Sequence, residues 1–99
     1  MNPAGGFTIP AGHPSLAGHF PGQPIVPGVL LLAETFALLR AAYPGFAVTG
    51  LEQAKFLRPV SPGEMVAVTS HLMETGRAHF TGMIGAQVVL RGVAHLAPA

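Results

Sequence analysis

Fourteen residues, Val29 to Ala42, set the first constraint on this chain. Leu, Ala and Glu favour helix, and Pro27-Gly28 before them and Tyr43-Pro44-Gly45 after them supply a start and a stop. The spacing therefore predicts a helix from about Gly28 to Ala42. Its apolar residues, Val29, Leu30, Leu31, Leu32, Ala33, Phe36, Ala37, Leu38 and Leu39, fall on nearly every face. A helix that is hydrophobic all round is a buried helix. In a chain of 99 residues only a sheet wrapped around it could bury it so fully.

The segments that follow supply such a sheet. Ala47–Leu57, Met65–Met73, Ala78–Ala86 and Gln87–Leu96 are rich in strand formers. Turn signals separate them at Arg58-Pro59-Val60-Ser61-Pro62-Gly63, at Glu74-Thr75-Gly76-Arg77 and near Gly85-Ala86-Gln87. Phe7-Thr8-Ile9 adds a short strand at the front, and residues 1–6 are expected to fray. The expectation is one α+β domain over residues 1–99, with one long helix against a curved antiparallel sheet.

Composition narrows the function classes. The chain is 49% hydrophobic and 9% charged, against about 25% charged in an average soluble protein. A domain this small buries roughly 60–65% of its unfolded surface. The excess apolar surface is best covered at the interface of a homo-oligomer. No run of about 20 apolar residues suggests a membrane span, since Glu34 and Thr35 interrupt the longest run. A net charge of +1 provides no basic field for nucleic acid. The absence of cysteine excludes disulfides and thiolate chemistry. The front of the sequence carries no signal-peptide pattern, so a cytoplasmic location is expected.

Between the first strand and the helix lies Gly18-His19-Phe20-Pro21-Gly22-Gln23-Pro24-Ile25-Val26-Pro27-Gly28. So much Gly and Pro excludes helix and long strand. Such a loop either connects or holds something still. It holds a titratable ring, His19, beside a helix N-terminus whose free amides favour negative charge. His13, His19 and Glu34 match no known metal-ligand spacing, and neither a metal nor an organic cofactor is expected. His71, His79 and His95 fall on strands and are expected to be surface or hydrogen-bond-satisfied residues.

Two stretches carry a family resemblance. Gly18-His19-Phe20-Pro21-Gly22-x-Pro24-Ile25-x-Pro27-Gly28-Val29-Leu30 resembles the hot-dog-fold 3-hydroxyacyl-(acyl carrier protein) dehydratases of fatty acid synthesis. It is especially similar to the small dehydratases of aryl polyene lipid clusters. Ala54-Lys55-Phe56-Leu57-Arg58-Pro59-Val60-Ser61-Pro62-Gly63-Glu64 is similar to that family's strand-turn signature. The resemblance implies a hot-dog fold, a homodimer joined edge to edge through its sheets, and sites shared between subunits. It implies an acyl carrier protein as the bearer of the substrate. His19 would be the base, Gly28 the oxyanion donor, and Phe20, Pro21, Gly22, Val29, Leu32 and Phe56 the substrate contacts. The larger relatives carry a further strand and turn ahead of the segment matching Phe7.

The acid departs from that pattern. The family's Asp or Glu lies fourteen residues after the histidine and six after the proline of Pro-Gly, which here is Ala33. The neighbouring carboxylate is Glu34, rotated by roughly 100° on a regular helix. Three readings follow. A helix irregularity brings Glu34 in as the acid; water or another group replaces the acid; or the chain is a non-catalytic acyl-binding or partner subunit. A hot-dog thioesterase, with Glu34 activating water, is a further alternative. Paired with Arg40 or Arg58, Glu34 would be a polar residue at a subunit interface.

Overall fold

The computed structural model describes residues 2–13 and 25–99. Strand β1 spans Asn2–Thr8, helix α1 Gly28–Ala42, β2 Phe46–Phe56, β3 Met65–Leu72, β4 Arg77–Ile84 and β5 Gln87–Pro98. The five strands form one sheet in the order β1-β3-β4-β5-β2, with every neighbouring pair antiparallel. The helix bounds and the four strands after it follow the sequence pattern to within a few residues.

The front of the chain does not. Residues 2–6, expected to fray, belong to β1 and pair with β3 from Asn2↔Ser70 to Thr8↔Met65. Pro and Gly weaken a strand on their own account, but an edge strand tolerates both. Here the free edge of β3 supplies the ladder, and Phe7 anchors it in the core. The register slips between Pro3 and Gly5. Gly5 has φ +124°, and a Cβ there would meet Leu38 Cδ2 at 2.9 Å. The slip thus occurs where β1 passes close against Leu38 of the helix.

The core lies between one stripe of α1 and the inner face of the sheet. Leu31, Thr35 and Leu39 recur every fourth residue and are buried. Thr35 Oγ1 donates to the Leu31 carbonyl at 2.8 Å, so its hydroxyl is satisfied within the helix. The sheet answers with alternating side chains: Val66, Val68 and Ser70 from β3, Ala78 and Phe80 from β4, Leu90, Ala94 and Leu96 from β5. Phe36 meets Phe80 edge to face at a centroid distance of 6.3 Å. Gly92 gives the Phe80 ring its seat: a Cβ there would meet Phe80 Cζ at 2.6 Å and collide with the Gln53 carbonyl. Tyr43 Oη and Ser70 Oγ, 2.8 Å apart, tie the helix end to β3.

Burial of the helix on all sides is not what the chain achieves by itself. Val29 is 76% exposed, and Ala33 and Ala37 are also exposed. The physical reason is geometric. One sheet covers one side of a helix, and the opposite crest, at i, i+4 and i+8, has nothing over it. No helix among the described residues is long and apolar enough to cross a membrane.

Candidate active site

The mouth of α1 is held by its proline. Pro27, with φ −59° and ψ 143°, precedes the first helical residue. Its carbonyl accepts from the Leu30 amide at 3.0 Å and the Leu31 amide at 3.2 Å. The Gly28 and Val29 amides have no acceptor among the described residues, as the geometry of a helix start requires. One residue earlier, the Val26 amide donates to the Val60 carbonyl at 2.8 Å, pinning the entering chain to the segment after β2.

That pinning encloses a cleft of about 460 Å³ between the helix start and the segment from Phe56 to Val60. Ile25, Val26, Leu31, Phe56, Leu57 and Val60 supply apolar walls, and Gly28 lies at its edge. An apolar cleft with few polar groups, beside a helix N-terminus, suits an acyl chain ending in a polarised carbonyl. A Cβ on Gly28 would lie 2.9 Å from Phe56 Cζ. Glycine at this position thus lets the Phe56 ring rest against the helix mouth and leaves the amide open to a carbonyl.

The turn after β2 is braced by an ion pair. The Arg58 guanidinium donates to Glu64 through Nη1 at 3.2 Å and Nη2 at 3.1 Å, to Gln87 Oε1 through Nε at 3.0 Å, and to the Pro59 carbonyl at 2.7 Å. The Ser61 amide adds a bond to Glu64 Oε1 at 2.8 Å. Arg58 first, and the Ser61 amide second, hold the Glu64 carboxyl below its ordinary pKa. Gly63, at φ +88°, completes the turn and donates to the Ile9 carbonyl at 2.8 Å. The second signature segment is thus a structural brace. Its residues from Phe56 to Val60, Arg58 included, line the cleft, while the pairing of Arg58 with Glu64 fixes the turn between the two strands.

The expected site residues fare differently. His19, Phe20, Pro21 and Gly22 lie outside the described residues. Gly28 and Phe56 line the cleft together. Val29 points into open space, and Leu32 packs against the core. Ile25, Val26, Leu31, Leu57 and Val60 were not singled out from the sequence. Their signal was the apolar residues spaced between prolines on both sides of the cleft.

Ala33 and Glu34 occupy a helix that is α throughout Gly28–Ala42. Ala33 stands on the exposed crest. Glu34 is half-buried on the flank shared with Leu30 and Leu38. No irregularity carries it onto the Ala33 face. Glu34 forms no hydrogen bond or ion pair among the described residues, and Arg58 is already engaged by Glu64. Among the described residues no three His, Asp or Glu side chains gather to hold a metal ion.

Residues 4–94 match the family of ApeI-like proteins, the ApeI dehydratases. This chain belongs to that dehydratase family. It is 32% identical over 100 residues to the 3-hydroxyacyl-[acyl-carrier-protein] dehydratase FabZ of Chlamydia trachomatis, covering 86% of this chain and 65% of the relative. It is 36% identical over 90 residues to FabZ of Thermus thermophilus, covering 80% of this chain and 61% of the relative. The chain therefore spans less than two thirds of the length of these curated relatives. In three dimensions it is similar to the dehydratase heterocomplex ApeI:P of Xenorhabdus doucetiae, with a TM-score of 0.80 at 23% identity over 93% of this chain and 83% of the other. The fluoroacetyl-CoA-specific thioesterase FlK superposes with a TM-score of 0.66 at 17% identity over 93% of this chain and 86% of the other. The fold is the hot-dog fold, one helix packed against a five-stranded antiparallel sheet.

Proposed function

We propose that this chain acts on 3-hydroxyacyl thioesters carried by an acyl carrier protein, removing water to give the trans-2-enoyl product. The observation that supports the reading is the apolar cleft beside the Gly28 amide, which has no acceptor among the described residues, with Gly28 and Phe56 drawn from the two segments that carry the resemblance.

In this reading the acyl chain lies along Ile25, Leu31, Phe56 and Val60, with the thioester carbonyl at Gly28. His19 takes a proton from the carbon next to the carbonyl. Charge developing on the thioester oxygen is met by the Gly28 amide and the helix N-terminus. The C–O bond to the 3-hydroxyl then breaks, and that oxygen leaves as water after accepting a proton. Glu34 is the nearest carboxyl in sequence to the family's acid position, but its flank placement requires the substrate to approach from that side. The second substrate-facing surface would come from another subunit, in a homodimer joined at the β2 edge.

One observation favours a second reading. The position that the resemblance gives to the family's acid is Ala33, and the helix around it is regular. In that reading the chain binds the acyl group and works as one half of a heterodimer whose other subunit supplies the acid.

The experiment is incubation of the pure protein with 3-hydroxyacyl carrier-protein substrates of graded chain length. Mass loss of one water and new enoyl absorbance are expected. Failure with every chain length would overturn the enzyme reading for the chain alone, and turnover appearing only after mixing with a second dehydratase subunit would establish the heterodimer. Release of free acid instead of an enoyl thioester would mark a thioesterase.

A further inference from the structure

The face of the sheet turned away from the helix carries Lys55, Arg77 and Arg91, three of the five Lys and Arg residues of the chain. Its cross-strand registers define a row. Thr69 on β3 lies opposite Thr81 on β4, Thr81 opposite Arg91 on β5, and Arg91 opposite Lys55 on β2. With strands about 4.8 Å apart, this row crosses the sheet in roughly 14 Å. Beside it lies a second row, His71, His79, Val93 and Gln53.

Charge on this face is unevenly compensated. Glu52 sits at the register shift between Leu51 and Gln53. It binds the Arg77 guanidinium through both oxygens, at 3.2 and 2.7 Å, and lies 3.2 Å from His95 Nε2. Glu64 is held by Arg58, while Glu34 lies on the helix and Glu74 in the turn after β3. These are all four acidic residues of the chain. Lys55 and Arg91 are therefore left directly opposite each other, both exposed, with no anionic partner among the described residues. Like charges directly opposite on neighbouring strands destabilise a sheet. Arg91 of this pair also lines a shallow cleft of about 250 Å³, with Gln53, Arg77, His79, Thr81 and Val93, and Lys55 stands beside that cleft on β2.

We propose that a phosphate-class anion binds on this outer face between Arg91, which lines the cleft, and Lys55, directly opposite it on β2. The Arg fork matches two oxygens of a tetrahedral anion, and the Lys ammonium supplies a second point charge. A compact anion fits better than a broad acidic protein surface, because the uncompensated charge is concentrated in one facing pair. Arg77 and His95, which would extend it, are already taken by Glu52. The site lies on the opposite face of β2 from the acyl cleft, since Lys55 points outward and its neighbour Phe56 inward. It does not depend on the function proposed above.

The test uses the full chain and orthophosphate or pyrophosphate as probes, with chloride at matched ionic strength as control. Binding of an anion to the folded state raises the melting temperature by mass action. The wild-type protein is expected to melt higher in phosphate than in chloride. Arg91→Gln removes the like-charge pair, so it is expected to melt higher than wild type in chloride and to lose the phosphate increment. Calorimetric titration should show the affinity falling by about tenfold or more, the effect of losing one charge-assisted hydrogen bond. Lys55→Gln provides the same test if Arg91→Gln fails to fold. Arg40→Gln, on the helix, should leave the increment intact. A wild-type response no larger in phosphate than in chloride would overturn the proposal. So would an unchanged increment in Arg91→Gln, or a glutamate-rich peptide that binds this face where phosphate does not. Pyrophosphate binding above orthophosphate would support a polyphosphate ligand, and equal binding a single phosphate group.

Discussion

The ring of Phe56 rests on Gly28 at the mouth of the helix. A Cβ at that glycine would lie 2.9 Å from Cζ and 3.1 and 3.2 Å from the two Cε carbons. These two residues come from the two signature segments, so the contact joins them at the cleft. Phe56 is 46% exposed, and its ring can swing outward at little cost. Gly28→Ala is therefore expected to leave the protein folded, with a melting temperature within a few degrees of wild type, because alanine also favours helix. The displaced ring should narrow the cleft and weaken binding of an acyl ligand. Phe56→Leu in the Gly28→Ala background should restore it. A double-mutant cycle on ligand affinity is expected to give a coupling of about 0.5–3 kcal/mol. Additive effects would separate the two residues.

The Ala33–Glu34 register separates catalysis from scaffold. Glu34 has no partner among the described residues, so Glu34→Gln should change stability by no more than about 0.5 kcal/mol. If Glu34 supplies the proton to the leaving hydroxyl, that substitution abolishes turnover while melting behaviour stays put. Ala33→Glu puts a carboxyl on the exposed crest, where no packing opposes it. Gain of dehydration in Ala33→Glu, together with retained activity in Glu34→Gln, would assign the acid to the crest face.

Much of this was legible in the residues, for identifiable reasons. The helix was readable because Pro27-Gly28 and Pro44-Gly45 bracket a run of strong helix formers. Strands β2 to β5 were readable because turn residues separate them. Strand β1 was not, since its Pro3, Gly5 and Gly6 oppose strand locally and only the free edge of β3 recruits them. The one-sided burial of the helix was also hidden, because a local pattern records how apolar a face is and not what covers it. At the site, Gly28 and Phe56 could be named from the motifs. The brace of Arg58 with Glu64 could not, because their pairing depends on the path of the turn between them.

Two carboxylates tie stability to acid. Glu64 is held below the ordinary carboxylate value of 4.5 chiefly by Arg58, and Glu52 chiefly by Arg77. A carboxyl with a lowered folded-state pKa contributes stability above its unfolded pKa and loses it as pH falls through the folded value. The melting temperature should therefore be flat from neutral pH to about 5, then fall below about 4.5 as the unfolded chain binds protons first. Glu64→Gln should shallow that fall. Because both pairs are solvent-accessible, added salt should shallow it as well. An acid-induced fall that is identical in Glu64→Gln and wild type would remove the Arg58 brace from the stability of the fold.

Phe80 tests the core. It is 1% exposed, seated on Gly92 and met edge-on by Phe36. Phe80→Ala should cost about 3–5 kcal/mol, which for a chain of this size is a large share of total stability. Chemical denaturation is expected to show the midpoint falling by that free-energy loss divided by the slope, with the slope itself unchanged. Loss of less than about 1 kcal/mol would mean that the helix and sheet close over the vacancy.

The last prediction concerns what covers the apolar crest. Val29 at 76% exposure, Leu51 at 43% and Phe56 lie on the helix crest and along β2, which is a sheet edge with no strand on its outer side among the described residues. Exposed edges carrying apolar side chains invite pairing with another chain. A second subunit added at β2 would extend the ladder and bring its own apolar crest toward this one. The protein is therefore expected to sediment as a dimer or larger. Leu51→Lys should shift it toward monomer, since a buried unpaired ammonium is costly at a closed interface. Because Leu51 is exposed in the single chain, the same substitution should cost the fold of an isolated subunit little. A monomer at all concentrations would instead leave β2 free for a different partner, and mixing with a second hot-dog subunit would then be expected to produce the complex that the chain does not form with itself.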